Sequence, residues 1–591
     1  MFWYPSDTMR LYYSLFLVIA LVVCAFAESG QPVAARLAAQ NALFEEEYQS
    51  DLRESPELAT AYGDYRYNDQ LDDYSLEEIA RFDKINEDFL RRIQAISTAG
   101  FGDQDQLSHD LLIRVLQRRI DAFNLKEDEM PINQMYGVHT DLADLPLAVP
   151  LDTVKHYQDY VSRLHQIPRA LDQTKDVLRA GMRDRLMPVR FLLEKIPAQC
   201  QGIIDSDPFL MPTKKYPGSF SEEDRKRLTG QITRTIDMEV LPAYKGFAEF
   251  VRTEYAPRGR ATLAVTSLPD GPKRYENDIY ARTTTRMPPE EIHQLGLREM
   301  ARIEAELKAL AKKAGFADLA AFRASIKTNP QYIPTSAEQI LQDYRHYLAQ
   351  MEPKLPELFT LLPKSPVTVE AIPAFQSAAA THYVTGTPDG KRPGRVVVAT
   401  SDFRHRSLVD DESTAYHEGI PGHHMQLSVQ QQLTGLPKFR LHSQGFNAYV
   451  EGWALYAEQL GKEVGFYQDP VSDYGRLSSE LFRAVRLVVD TGIHSKGWSR
   501  EQVVDFFRKS GAVDEPTLQS ETDRYIAWPA QALSYKLGQL KFLELRNRAQ
   551  KELGSRFDIR AFHDEMLNGG TLPLDLLESR TNRWIAQQKS K

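Results

Sequence analysis

Apolar residues recur every three to four positions along most of this chain, the period of an amphipathic helix. The pattern marks helices over 31–54, 75–97, 107–126 and 152–187. It is clearest over 288–313, where Pro288 and Pro289 open the segment and Gly315 follows it. Ile292, Leu295, Met300, Ile303, Leu307 and Leu310 form one stripe there, which core packing accounts for. Thr335 and Glu338 have the spacing of a capping box ahead of a helix over 340–351. Ser499 and Gln502 repeat that signature before Val503 and Phe506.

Two stretches break the rhythm. Residues 205–220 are rich in proline, glycine and charge and predict a lobe boundary. Residues 362–394 mix proline, glycine and threonine, and then Arg395-Val396-Val397-Val398-Ala399-Thr400 reads as a strand. An exposed edge strand there would accept an extended peptide; a purely structural hairpin is the alternative. The expected fold is mainly α, large and two-lobed, with a small β-sheet.

The first residues have a different character. Residues 11–27 are apolar, Arg10 precedes them, and Ala25-Phe26-Ala27 has the small-x-small form of a cleavage site. Residues 1–27 are therefore expected to be a signal peptide, with Met1 or Met9 as the start and 28–591 as one catalytic domain. The apolar core is short for a membrane anchor. Cys24 offers a lipidation site, but Val23 before it is not small, so lipoprotein anchoring is the weaker reading. Cys200 is the second of two cysteines and would stand alone, so no disulfide is expected. An exported, periplasmic or extracellular protein must then rest on its core. The net charge of −9 argues against a nucleic-acid partner, and no later stretch is apolar enough to span a membrane.

The chemistry concentrates at 415–426. Three of the chain's 14 histidines, His417, His423 and His424, lie there with Glu418. The pattern is a variant of H-E-x-x-H, in which two histidines bind zinc and the glutamate acts as base. His423 is six residues after His417 and His424 is seven. On a regular helix a gap of six faces away, and a gap of seven separates the residues by about 10.5 Å. Pro421 and Gly422 predict a local bulge that absorbs the extra residues. His423 is the favoured second ligand and His424 the alternative, as a second-layer or substrate contact. Glu451 and Glu458, seven apart on one face of an apolar helical segment, follow downstream. A carboxylate there is costly unless paired or metal-bound. Glu451 completes a His417, His423, Glu451 set with an open position, the form of a catalytic zinc site carrying one Zn²⁺ per chain.

The runs at 416–426, 448–458, 490–499 and 529–546 resemble the signatures of bacterial domain-of-unknown-function family 885. That resemblance implies exported, zincin-like peptidases, similar to the helical gluzincins such as angiotensin-converting enzyme and the thermostable carboxypeptidases. It implies a zincin-like fold whose small sheet lines a deep active-site cleft. Glu418 is expected as general base. His494 and Tyr535, with Tyr525 in reserve, are candidate donors to the developing oxyanion. Arg483, Arg486 and Lys536 are candidate anchors for a substrate carboxylate, which would make a carboxypeptidase or dipeptidase. The expected partner is a peptide substrate. The competing readings are a metal-dependent amidase or esterase on a non-peptide substrate, and a binding protein on a protease scaffold.

Overall fold

The computed structural model describes residues 31–372, 380–387, 392–442 and 445–590. The predicted leader, with Arg10 and Cys24, lies outside the described residues. The helices before the sheet include α1 (Val33–Glu54), α2 (Leu76–Gln94), α3 (Asp103–Asn124), α4 (Val154–Asp184), α5 (Glu222–Thr235), α6 (Leu241–Phe250), α7 (Gly271–Thr283), α8 (Pro289–Lys313) and α9 (Ala337–Met351). The sheet comprises β1 (Val367–Ala371), β2 (His382–Val384) and β3 (Gly394–Val398). After it come α10 (Asp411–Glu418), α11 (His423–Gln432), α12 (Asn447–Glu463), α13 (Pro470–His494), α14 (Arg500–Ser510), α15 (Glu515–Ala527), α16 (Ser534–Leu553), α17 (Ile559–Leu567) and α18 (Leu574–Ser590). The chain is mainly α-helical, as its periodicity predicts.

The helix stripes are core faces. Ile292, Met300, Ile303, Leu307 and Leu310 of α8 are buried. Ser499 and Gln502 form the expected capping box. The other cap sits one residue later than predicted. Ser336 Oγ accepts from the Gln339 N–H at 3.0 Å, while Thr335 donates its N–H and hydroxyl to Gln339 Oε1 at 2.8 and 2.7 Å. Residues 205–220 do not divide two cores. Phe209 and Phe220 are buried with Tyr157, Tyr160 and Tyr244 in one apolar cluster that runs from Leu71 to Ala256. Cys200 is buried in the same cluster and is free.

The sheet order is β1-β3-β2, with β1 parallel and β2 antiparallel to β3. The Arg395–Val398 run is therefore the central strand, not the predicted edge. Both of its sides carry ladder hydrogen bonds, so no peptide can add to it. Its alternate positions Val396 and Val398 enter the core that also holds Tyr416, Met425 and Trp453. The sheet thus packs on the helices that carry the histidine motif. Among the described residues, no helix is long and apolar enough to cross a membrane.

Two helix pairings frame that core. α8 lies along α13, and α12 lies along α16. The second pair meets at glycine on both sides. A Cβ on Gly538 would stand 1.8 Å from the Ala448 carbonyl oxygen, and one on Gly452 would stand 2.4 Å from Gly538. Without side chains there, the backbones touch, which brings Tyr535 on α16 alongside the site.

Candidate metal centre

The histidine motif is a broken helix. α10 ends at Glu418, residues Gly419 to Gly422 carry a cis Ile420–Pro421 bond, and α11 begins at His423. The predicted bulge within one helix is in fact two separate helices. A Cβ on Gly422 would lie 2.0 Å from the His417 carbonyl oxygen, so only glycine lets α11 start against the end of α10. The break is fastened from α12, where Trp453 Nε1–H donates to the Pro421 carbonyl at 2.9 Å. That bond ties the turn to the helix that carries Glu451.

Three side chains converge there. His417 Nε2 and His423 Nε2 each lie 3.6 Å from Glu451 Oε2. The two imidazole rings stand nearly perpendicular, at 88°, with centroids 4.9 Å apart. One donor atom from each of the three lies within 4.8 Å of the others. His423, not His424, is the histidine turned to Glu451. His417 is almost closed off, at 4% side-chain exposure, while Glu451 keeps 17% and opens the group to solvent.

A further carboxylate fixes His417. Its Nδ1–H donates to Glu458 Oε1 at 2.8 Å, which turns Nε2 toward Glu451. The other Glu458 oxygen accepts from Ser479 Oγ at 2.9 Å, and Ser479 accepts from Arg483 Nη1 at 2.7 Å. His423 lacks such support, since its buried Nδ1 has no partner among the described residues.

Burial alone would push the His417 imidazole down, but Glu451 and Glu458, helped by the charge of Glu418, lift it to about 9. Burial likewise opposes the Glu451 carboxylate, and the two imidazoles overcome it and hold it well below the usual range. The group thus draws positive charge into its centre. A tetrahedral ion with ligand bonds near 2.0 Å separates its donors by about 3.3 Å. The observed 3.6 Å separations are close to that, and the two-imidazole, one-carboxylate set suits an ion of zinc type over calcium or magnesium. Glu418, at the end of α10, is buried to 9% exposure and has no hydrogen-bond partner among the described residues. Tyr535 also reaches the group. Its ring lies 19° from parallel to His417 at 6.5 Å between centroids, and its hydroxyl accepts from Arg524 Nη2 at 3.3 Å.

The other sequence candidates are engaged elsewhere. His494 is fully buried, with Nδ1 accepting from the Val265 N–H at 3.1 Å and Nε2–H donating to the Tyr525 carbonyl at 2.9 Å. Burial lowers its imidazole to about 3, so it ties backbone segments together as a neutral ring. Tyr525 donates to Glu521 Oε2 at 2.5 Å and accepts from Arg486 Nε at 2.9 Å. Arg486 pairs with Glu521 at 3.1 Å and lies 4.4 Å over the Tyr535 ring. Lys536 is fully buried between Glu480 at 2.7 Å and Glu299 at 2.9 Å, where it neutralises the α8–α13 contact. Arg483 serves Ser479 and, through it, Glu458. Arg486 and Lys536 are thus already paired with carboxylates, whereas Arg483 is not, and its Nε has no partner among the described residues. His424 is also occupied. Its Nε2–H donates to the Ser365 carbonyl at 3.0 Å and its Nδ1 accepts from Tyr383 of β2 at 3.0 Å. It fastens α11 to the sheet and does not present a nitrogen to substrate.

The sequence reading did not assign roles to Glu458 or Arg524. The signal for Glu458 was present, because it follows Glu451 by seven residues on the same face of α12. Arg524 carries no such signal.

A solved structure of a candidate lipoprotein from Colwellia psychrerythraea is similar over 93% of this chain and 99% of its own, at 27% identity and a TM-score of 0.88. A candidate lipoprotein of unknown function from Shewanella oneidensis shares the fold over 92% of this chain and 99% of its own, at 17% identity and a TM-score of 0.70. No curated protein matches. The family profile described as "Bacterial protein of unknown function (DUF885)" matches residues 56–580, and the chain belongs to that family.

Proposed function

We propose that this protein is an exported zinc-dependent peptidase of gluzincin type. The observation that carries the reading is the convergence of His417, His423 and Glu451 on one point, with Glu458 behind His417 and the charge of Glu418 felt by the same ring. Those three residues would hold the ion. When bound, zinc supplies Lewis acidity toward a carbonyl oxygen and toward water.

The chain's own residues would do the rest. Glu418 accepts the proton of the attacking water and delivers it to the leaving amine, so one carboxylate serves as base and then acid. Glu458 keeps the His417 proton on Nδ1 and so keeps Nε2 a ligand. Tyr535, held by Arg524 and Arg486, offers its hydroxyl to the oxygen that gains charge. The zincin-like, two-lobed arrangement with a cleft belongs to this same reading. Action outside the cytoplasm is supported by the leader pattern at 1–27 and by the lipoprotein descriptions of the two structural relatives.

The test is the metal content and the Glu418→Gln variant. The purified chain should carry about one zinc and cleave members of a peptide library read by mass spectrometry. Glu418→Gln should keep the zinc and lose turnover by at least about 100-fold. Near-normal turnover in that variant would sink the mechanism. A library left intact but a panel of simple amides or esters hydrolysed would move the substrate to a non-peptide class.

A further inference from the structure

A concavity lies apart from the metal-site residues. A cavity of about 610 Å³ opens where α3, α7 and the segment after it, α16 and α18 meet. Its volume is that of a pocket for a drug-sized ligand. The walls carry charge of both signs, and most of it is already matched. Arg114 donates to Asp575 at 2.9 Å and to the Tyr280 hydroxyl. Lys541 pairs with Glu578 at 2.9 Å, and Asp121 accepts from Gln117 at 3.0 Å.

Two cations are left over. Among the described residues, neither Arg118 nor Arg286 forms a salt bridge; each lies against an aromatic face, and Glu127 is the carboxylate whose charge reaches Arg118. Arg118 lies 5.9 Å over Phe446 and Arg286 lies 4.3 Å over Tyr280. Arg118 is half-buried, so its charge is costly without a counter-ion. Burial, then the nearby Arg119 and Arg282, push its guanidinium below the ordinary range. The wall pairs Arg114 and Lys541 with carboxylates and holds Asp121 only through the neutral Gln117, so its two further guanidiniums leave positive charge in excess around one hollow.

We propose that this cavity binds a small anionic ligand whose carboxylate or phosphate group is met by Arg118 and Arg286. Guanidinium forks suit both groups, and Tyr280 and Thr284 add hydroxyl and apolar surface for the rest of the ligand. The site is independent of the metal reading, because none of the cavity's lining residues belongs to the metal group.

Calorimetric titration of the full mature chain at low ionic strength tests this with two probes, inorganic phosphate and glutarate. At least one should bind saturably in the millimolar range or tighter, and the preferred probe identifies the acid group. Binding should weaken at least about 10-fold in Arg286→Ala and in Arg118→Met, the second keeping an apolar stem over Phe446. It should persist after zinc is removed with a chelator and in His417→Ala. Arg286 is exposed, so Arg286→Ala remains decisive even if Arg118→Met does not fold. Failure of both probes to saturate, binding that survives Arg286→Ala unchanged, or loss of binding on chelation overturns the proposal. Those outcomes leave the peptidase reading standing.

Discussion

Glu458 tests the metal centre without touching a donor to the ion. Glu458→Gln keeps the volume of a side chain that is 3% exposed, so packing should barely change. It removes a full negative charge 2.8 Å from His417 Nδ1. An amide oxygen turned to the ring can still accept that proton but without the charge, and the loss is then near the low end of the range below. An amide NH₂ turned to the ring forces the proton onto Nε2 and blocks the ligand atom, and the loss is then large. Outer partners of this kind change metal affinity by roughly 10- to 100-fold, or about 1–3 kcal/mol. Ser479 holds the second Glu458 oxygen at 2.9 Å, so Ser479→Ala should lower affinity much less, because the charge stays. Competition against a chromophoric chelator measures both variants, with circular dichroism to confirm the fold. A folded Glu458→Gln protein that binds zinc within twofold of the parent would refute the role given to this carboxylate.

Three further outcomes follow from the same geometry. His423→Ala should lose zinc while His424→Ala keeps it but melts earlier, by roughly 1–3 kcal/mol for the stranded Tyr383 and Ser365 groups; the opposite zinc pattern would transfer the ligand role. The metal-free His417 is raised to about 9, so zinc must displace a proton below that pH; apparent affinity should climb about tenfold per pH unit toward 9 and level above it, and calorimetry in buffers of differing ionisation enthalpy at neutral pH should count about one proton released. Gly538→Ala puts a Cβ 1.8 Å from the Ala448 carbonyl, which should destabilise the chain by roughly 1–3 kcal/mol or more in thermal denaturation.

What the sequence revealed was what local pattern controls. The stripe of α8 and the cap at Ser499 need no partner to be recognised, since periodicity and spacing define them. The density of His417, Glu418 and His423, with Glu451 on an apolar helix, pointed to a site where His417, His423 and Glu451 do meet. What it hid was long-range. Lys536 looks like a substrate anchor until Glu299 and Glu480 arrive from two other helices to neutralise it. His494 looks like a donor until the Val265 N–H, far back along the chain, takes its Nδ1. The Arg395–Val398 run announces a strand, but whether that strand is central depends on its pairing with β1 and with the three-residue β2, which local pattern does not specify.

The spacing of six between the two histidines resolves in the same physical terms. A continuous helix would carry His423 to the far side from His417. Ending the helix at Glu418 frees the second ring from that periodicity, and the turn held by Trp453 re-aims it at a right angle to the first. The seventh position is then spent on the sheet, where His424 meets Tyr383 and Ser365. The double histidine therefore divides its labour. One ring faces Glu451 and the other locks the strand beside it, and substitution of either should fail in a different assay.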